Sequence, residues 1–513
     1  MAEVVVIGNG PVGQTTALLL ARWGVSVLVV DERPERDRVG SKSICQARDV
    51  LDIWASVGAG RRIAAEGVTW TTARTFYRDR ELFSWSFVDR GRSPLPAFVN
   101  ISQSRTEEIL DEAVAAQPLV EVRWGHRVVG LTQDADGVTV ACLTAQGEST
   151  LRAAYVVACA GGRTEVRRLL GVEFEGRSFD DRFLICDVRA DLPGWETERR
   201  FYFDPEWNPD RQVLIHPCPQ STYRIDWQVS PDFDLATEDI DARVRTILGD
   251  RPYEMVWRSV YRFQARCADR FVVGRVLLAG DCAHLVAPFG ARGLNSGVAD
   301  AENAAWKLAF VLRGWAPPAL LDSYHDERHA AARENIAVTS STMDFLVPQS
   351  PAAWKYRRDV LDRAVRDAEA RAAVDSGRFS EPFWYLDSPL TTPDPTRPFA
   401  GRPPRGETPV PTPGVLIPDA PIRHATATHL REIVRDGLLV LSGGPAPELR
   451  DAVDAPVRVL SLADIDVDGD LTAALSICDG ELWLVRPDGH IAAIARAASG
   501  LVTAARRALA LPR

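Results

Sequence analysis

The 513-residue chain predicts an α/β fold: a Rossmann-like domain with an inserted, mostly antiparallel β-sheet, followed by a further domain near the C-terminus. Three observations predict it. A strand, glycine loop and helix open the chain; a second unit of that kind lies at residues 276–297; and strands of alternating polarity fill the interval between them.

The opening unit is "VVVIGNGPVGQTTALLLARWGVSVLVVDERPE". Val4 to Ile7 form an unbroken β-branched run, as expected of a parallel strand covered on both faces. Gly8, Gly10 and Gly13 then spell GxGxxG, in which the first glycine permits the turn, the second admits a pyrophosphate and the third lets helix pack on strand. After Pro11, a helix from about Val12 to Trp23 aims its free N–H groups and positive dipole end at the phosphates. Gly24 stops the helix. The next strand, "VSVLVV", ends on Asp31, suitably placed to bond a ribose hydroxyl, with Glu32 a further cofactor-binding candidate beside it. The ligand expected here is a dinucleotide.

Which dinucleotide is decided downstream, by "VLLAGDCAHLVAPFGARGLNSG". A strand from Val276 to Ala279 delivers Gly280 and Asp281, whose carboxylate is set to accept a ribityl or ribose hydroxyl. A helix then opens at about Leu294. Its dipole lies where negative charge develops on a reduced isoalloxazine, which favours FAD. The "SVGAGRR" near Gly58 follows a helical pattern and reads as a turn between helices, so no second nicotinamide-binding unit is expected.

Between the two units, "RRFYFDPEW", "RQVLIHPCP" and "TYRIDWQVS" alternate as half-exposed antiparallel strands do. Tyr223, Ile225 and Trp227 share one face of their strand, while Arg224, Asp226 and Gln228 share the other. An aromatic face suits a flat apolar substrate. Trp70, Tyr202, His216, Tyr223, Trp227, Pro288 and Phe289 are the candidate substrate contacts, with Pro288 and Phe289 as a wall over the flavin. No Ser/His/Asp or metal cluster competes for catalytic duty, and His284 reads as a packed structural histidine; no catalytic side chain is assigned.

Net charge −10 and a pI near 5.5 argue against nucleic acid as a partner. The sequence meets its first strand almost at once, leaving no room for a secretory leader, and has no apolar run long enough for a bilayer; a soluble cytoplasmic protein is expected. The eight cysteines form no CxxC pair and read as reduced, with no metal.

These residues carry a family resemblance. The chain resembles the single-component, class A FAD-dependent aromatic hydroxylases with the p-hydroxybenzoate hydroxylase fold, especially the subgroup with a thioredoxin-like C-terminal domain. Gly8 to Gly13 match the family's ADP-binding loop, and Asp281, Pro288, Gly290, Gly293, Leu294 and Asn295 match its flavin and ribityl motif. Lys42 stands at a position often basic beside the flavin, Gln103 matches a glutamine that contacts the cofactor, and Val128 sits where backbone touches adenine. The family's middle motif is approximately D-G-x-x-S-x-V-R. Here Gly161, Val166 and Arg167 remain, but Ala160 replaces the aspartate and Thr164 the serine, which puts efficient reduction by NAD(P)H in question.

The resemblance implies a monooxygenase that hydroxylates an aromatic small molecule (phenolic, pyridine-like or polyketide) with NAD(P)H and O2 through a flavin C4a-hydroperoxide. NAD(P)H would dock transiently as co-substrate. Two alternatives stay open: a flavin-dependent dehydrogenase or reductase of a quinone or polycyclic substrate, and a flavin-bound sensor left unreduced. The expected organisation is a FAD-binding domain in two parts (residues 1–171 and 269–380, the second including a helical segment), a substrate-binding sheet at 172–268, a proline-rich linker at 381–421, and a thioredoxin-like domain without CxxC at 422–513. Support of the fold or homodimer contact is the expected role of that last domain.

Overall fold

The β-branched run Val4–Ile7 forms a strand buried along its whole length. The computed structural model describes residues 2–40, 42–86, 92–403, 407–444 and 452–512. In it this strand lies inside a six-stranded sheet, in the order Val272–Val273, Val276–Leu278, Tyr155–Ala158, Val4–Ile7, Val27–Val30, Val120–Arg123. Every pairing is parallel except the short one between Val272–Val273 and Val276–Leu278. Helices Pro11–Arg22 and Arg292–Leu312 pack on each other and start beside the ends of the strands that precede them. Chain far apart in sequence thus closes one layer.

The inserted sheet has eight strands, in the order His284–Leu285, Tyr253–Ala268, Phe174–Ala190, Thr222–Val229, Gln212–Cys218, Glu198–Phe203, Thr72–Tyr77, Arg80–Ser86. It is antiparallel but for the pairing of Glu198–Phe203 with Thr72–Tyr77. It is therefore wider than residues 172–268: two strands come from residues 72–86 and one from the second glycine loop. Helix Ile240–Leu248 lays the stripe Ile240, Val244 and Leu248 on one face, in a cluster with Tyr223, Ile225 and Trp227. On the other face, Phe201 and Phe203 pack against Met343, Leu346 and Leu361 of later helices, while Ile185, Leu214 and Asp226 line a cavity.

After the long helix Asp322–Leu346 and the helix Pro351–Ala364, the proline-rich stretch is irregular, with several turns among its described residues; its residues 404–406 lie outside the described residues. Backbone bonds from Tyr385 N to Gly414 O and from Thr392 N to Ala492 O hold it against the body. A four-stranded sheet follows, in the order Val457–Ser461, Leu438–Ser442, Leu482–Val485, Ile491–Ala495, with the last two joined through Asp488 and Gly489 at φ +77°. Helix Ala498–Ala508 packs on it, in one cluster with Trp306 and Phe310 of the Arg292–Leu312 helix.

Buried charges join this last unit to the first. Glu327 accepts from Lys307 Nζ at 2.7 Å, from Arg486 at 2.5 and 2.9 Å, and from Ser388 Oγ at 2.5 Å. Arg486 also binds Asp488. Such charges tolerate burial only because each finds several partners.

Candidate active site

A single cavity of 2560 Å³ runs from the N-terminal glycine loop, past the start of the Arg292–Leu312 helix, to the open face of the eight-stranded sheet. At the first end the turn is closed by contacts that admit no side chain. Gly8 has φ +102°, and a Cβ there would lie 2.5 Å from Cys159 O; a Cβ on Gly13 would lie 1.9 Å from Gly8 O. Gly10 differs. Its φ is −84°, open to any residue, and a Cβ would meet nothing within 4 Å. Neither conformation nor packing demands glycine there, so the space is kept for a ligand. Gly293 repeats this at the second loop, with a Cβ again meeting nothing within 4 Å.

Gly8, Gly10, Pro11, Val12, Asp31, Glu32 and Val128 line this end, whereas Gly13 lies behind the turn. Asp31 accepts from Asn9 N at 2.7 Å, from Arg33 N at 2.9 Å, and from the Arg33 guanidinium at 2.9 and 3.0 Å. Burial alone would raise its pKa, but these bonds outweigh burial and hold the carboxyl below its ordinary range. Asp31 is thus an anion at neutral pH and also sets the shape of the loop.

Along the middle, Lys42, Gln103, Gly161 and Arg167 line the wall. Gln103 Oε1 accepts from Ser43 N at 3.1 Å, which fixes the segment that carries Lys42. Gly161 turns at φ +75°, so the turn survives Ala160. Arg167 donates to Cys282 O at 3.0 Å and Gly162 O at 2.6 Å, and lies 3.9 Å over the Phe174 ring. It ties the middle motif to the second loop.

That loop is held from behind. Asp300 Oδ2 accepts from Gly280 N at 2.9 Å and sits 2.7 Å from His284 Nε2, while its Oδ1 accepts from Arg328 Nε at 2.7 Å. Burial raises Asp300, but His284 and Arg328 outweigh it and pull the carboxyl down to about 2. His284 is a structural residue, as its sequence context predicts. Asp281 lines the cavity, with Gly280 just behind it; desolvation raises the Asp281 carboxyl against the pull of His284, Lys42 and Arg167.

Pro288, Phe289, Gly290, Gly293 and Leu294 line the cavity; Asn295 does not. Asn295 instead accepts from Ala47 N at 2.9 Å and donates to Cys45 O at 3.0 Å, pinning the helix start to the 45–47 strand. Arg292 is 2% exposed and donates to Asn335 Oδ1 at 2.7 Å and Phe379 O at 3.0 Å; desolvation lowers its pKa to about 10. It anchors residues 378–379.

Of the expected substrate contacts, Trp70, His216, Pro288 and Phe289 line the cavity. Tyr202, Tyr223 and Trp227 do not. Tyr202 stacks on Phe76 at 4.6 Å, and Tyr223 and Trp227 lie under helix Ile240–Leu248. The face assignment of strand Thr222–Val229 is therefore reversed. The helix stripe is apolar and takes the aromatic face, leaving Arg224 and Asp226 toward the cavity. Those two residues, and the wall from residues 407–419, were missed; the polar phase of "TYRIDWQVS" was the available signal.

The donor set fits a dinucleotide: two helix starts, two glycines with open Cβ space, and an ionised Asp31 at one end. A profile described as "FAD binding domain" matches residues 1–339. The 3-(3-hydroxy-phenyl)propionate/3-hydroxycinnamic acid hydroxylase of Comamonas testosteroni is 34% identical over 370 residues, 70% of this chain and 61% of that protein. Rifampicin monooxygenase of Streptomyces venezuelae is 34% identical over 368 residues, 70% of this chain and 74% of that protein. The chain thus spans less than two thirds of the first relative and about three quarters of the second.

Among solved structures, the flavin-dependent monooxygenase PieE, in complex with FAD and substrate, superposes with TM-score 0.86 at 25% identity over 100% of this chain and 99% of its own. Aklavinone-11 hydroxylase, in a ternary complex with FAD and aklavinone, gives 0.79 at 26% over 99% of each chain. The chain belongs to the FAD-binding-domain family, in the company of these flavoprotein hydroxylases and monooxygenases.

Proposed function

We propose that the protein is an FAD-dependent monooxygenase that hydroxylates an aromatic small molecule, with NAD(P)H and O2 as co-substrates. The observation that carries this reading is the single cavity joining a dinucleotide cradle to an aromatic-walled chamber. Bound FAD would supply the redox and oxygen-transfer chemistry.

The chain's own residues have distinct tasks in this reading. Gly8, Gly10, Pro11 and Val12 receive the pyrophosphate beside the first helix start, Asp31 and Glu32 the ribose hydroxyls, and Val128 the adenine. Lys42, Gln103, Gly161, Arg167, Asp281 and the helix start at Gly293 and Leu294 surround the flavin and its chain. Gly13, Gly280 and Asn295 shape these loops from behind. Pro288, Phe289 and Trp70 keep water from the reacting ring, while Phe183 and Leu214 continue the apolar wall.

The relatives named above act on hydroxylated phenylpropanoids, rifampicin and aklavinone. A multi-ring or chain-bearing phenol suits a cavity of this size, which residues 407–411 also line. The test is to load the protein with FAD, mix it anaerobically with NADPH, then admit oxygen with a panel of aromatic metabolites under mass spectrometry. Flavin bleaching followed by a product heavier by one oxygen is expected. Bleaching with no oxygenated product from any panel member would replace hydroxylation with a reductase reading.

A further inference from the structure

The reversed strand face puts polar groups inside the chamber that the reading above leaves without a task. Asp226 projects from the middle of the eight-stranded sheet, paired with Ile185 on one neighbouring strand and Leu214 on the other. All three line the cavity. His216 is two residues along from Leu214, directly opposite Arg224, so it is the diagonal cross-strand neighbour of Asp226. Such neighbours lie roughly 7–8 Å apart. That gap accommodates one oxygen between two side chains.

Among the described residues, Asp226 Oδ1 and His216 Nδ1 are both buried with no hydrogen-bond partner. Arg224 beside them is engaged: its guanidinium is bidentate to Asp187 at 2.9 and 3.1 Å and reaches Lys42 O at 3.3 Å. The sheet face therefore offers one carboxylate oxygen and one imidazole nitrogen, surrounded by Phe183, Leu214 and Phe289. A buried polar atom left without a partner costs free energy unless a ligand supplies one.

Resting on the aromatic-hydroxylase reading, we infer that Asp226 and His216 receive the acidic hydroxyl of the aromatic substrate, with Asp226 as the proton acceptor. In the step, the phenolic O–H bond breaks, its electron pair stays on oxygen and its proton goes to Asp226 Oδ1. The electron-rich ring carbon then forms a C–O bond with one oxygen atom of O2, while the other atom leaves as water with the two electrons drawn from NAD(P)H. The proton returns to the same oxygen when the hydroxylated ring regains aromaticity by losing its own C–H proton to solvent. Neutral His216 orients the oxygen.

The electrostatics agree. Desolvation pushes Asp226 up to about 7, with Asp187 adding to the rise and Arg224 and Arg199 opposing it. A carboxylate near 7 is matched to proton transfer at neutral pH. Burial, with Arg199 and Arg224, holds His216 well below its ordinary value, so it stays uncharged. The groups facing Asp226 are Arg224 on its own strand, Asp187 on one neighbouring strand, His216 and Cys218 on the other, Arg199 on the strand beyond that, and the Lys42 segment above.

The test uses FAD-loaded protein and two probes, 2-naphthol and its methyl ether, with binding followed by tryptophan and flavin fluorescence from pH 5.5 to 8.5. Because a charge-assisted hydrogen bond is roughly twice as strong as a neutral one, 2-naphthol should bind about fivefold or more tightly above the Asp226 titration than below it. The methyl ether should show no slope. Asp226→Asn should remove the slope, Asp226→Glu should restore it, and His216→Gln should weaken 2-naphthol at every pH without changing the slope.

Parallel pH curves for the two probes, a slope that survives Asp226→Asn, or no saturable 2-naphthol binding would each overturn the assignment. Should Asp226→Asn fail to fold, the wild-type comparison of hydroxyl with ether still decides. A wild-type enzyme that hydroxylates a panel compound without this slope loses the Asp226 assignment alone, and the hydroxylase reading stands.

Discussion

The two glycine loops do the same kind of work by different means. The first, residues 8–13, is shaped mostly by close backbone contacts, Gly13 against Gly8 and Gly8 against Cys159, with Asp31 accepting from Asn9 N. The second, residues 280–295, takes its shape from side chains: Asp300 accepts from Gly280 N, Arg328 in the next long helix holds Asp300, and the loop's own Asn295 ties it to the 45–47 strand. A loop held by backbone carries its instructions locally. A loop held by buried ions depends on the whole fold being right.

The sharpest way to break this contrast is Arg328→Met. It leaves Asp300 buried without its guanidinium, and losing one partner of a buried pair costs about 3–5 kcal/mol. Urea unfolding of the FAD-free protein should show that loss, and a loss below about 1 kcal/mol would mean that the second loop stands on its own. Next is Gly13→Ala, whose Cβ would lie 1.9 Å from Gly8 O. The turn must open, at about 1–3 kcal/mol for an overpacked site. A melting temperature equal to wild type would contradict the packing described.

Acid separates the loops further. Asp300 has a folded pKa of about 2 against an ordinary 3.8, so its contribution is complete above the ordinary value and disappears as pH falls through about 2. Urea midpoints measured from pH 5 to pH 2 should fall more steeply in wild type than in Asp300→Asn; equal slopes would remove Asp300 as the anchor. The mildest case is Gly10→Ala, with open space at its Cβ. Folding should be unchanged while FAD binds about tenfold more weakly, roughly 1.4 kcal/mol. Unchanged affinity would show that the ligand does not use that space.

The same contrast explains what could be read from the chain alone. Gly8, Gly10, Gly13 and Asp31 announce themselves because strand, turn, helix and acid follow within one short segment. Asp281 and Gly293 do so almost as well. Helix Arg292–Leu312 starts two residues earlier than expected, since Ala291 takes the left-handed conformation at φ +57° and lets Arg292 enter the first turn. Strand alternation tells which residues of "TYRIDWQVS" share a face, but not which face meets the cavity. That choice belongs to Ile240, Val244 and Leu248, more than ten residues away. Nothing near Glu327 in sequence reveals that Arg486 answers it.

Glu327 and Lys307 sit at 3% and 0% exposure, and Arg486 and Asp488, which complete their ionic knot, come from the last hairpin. A shortened version ending at the close of the FAD-binding profile would strip that knot of its guanidinium and of the sheet above it. Expression boundaries drawn there would yield a core with a raw charged seam, so the tail must travel with the FAD-binding body in any recombinant or chimaeric form.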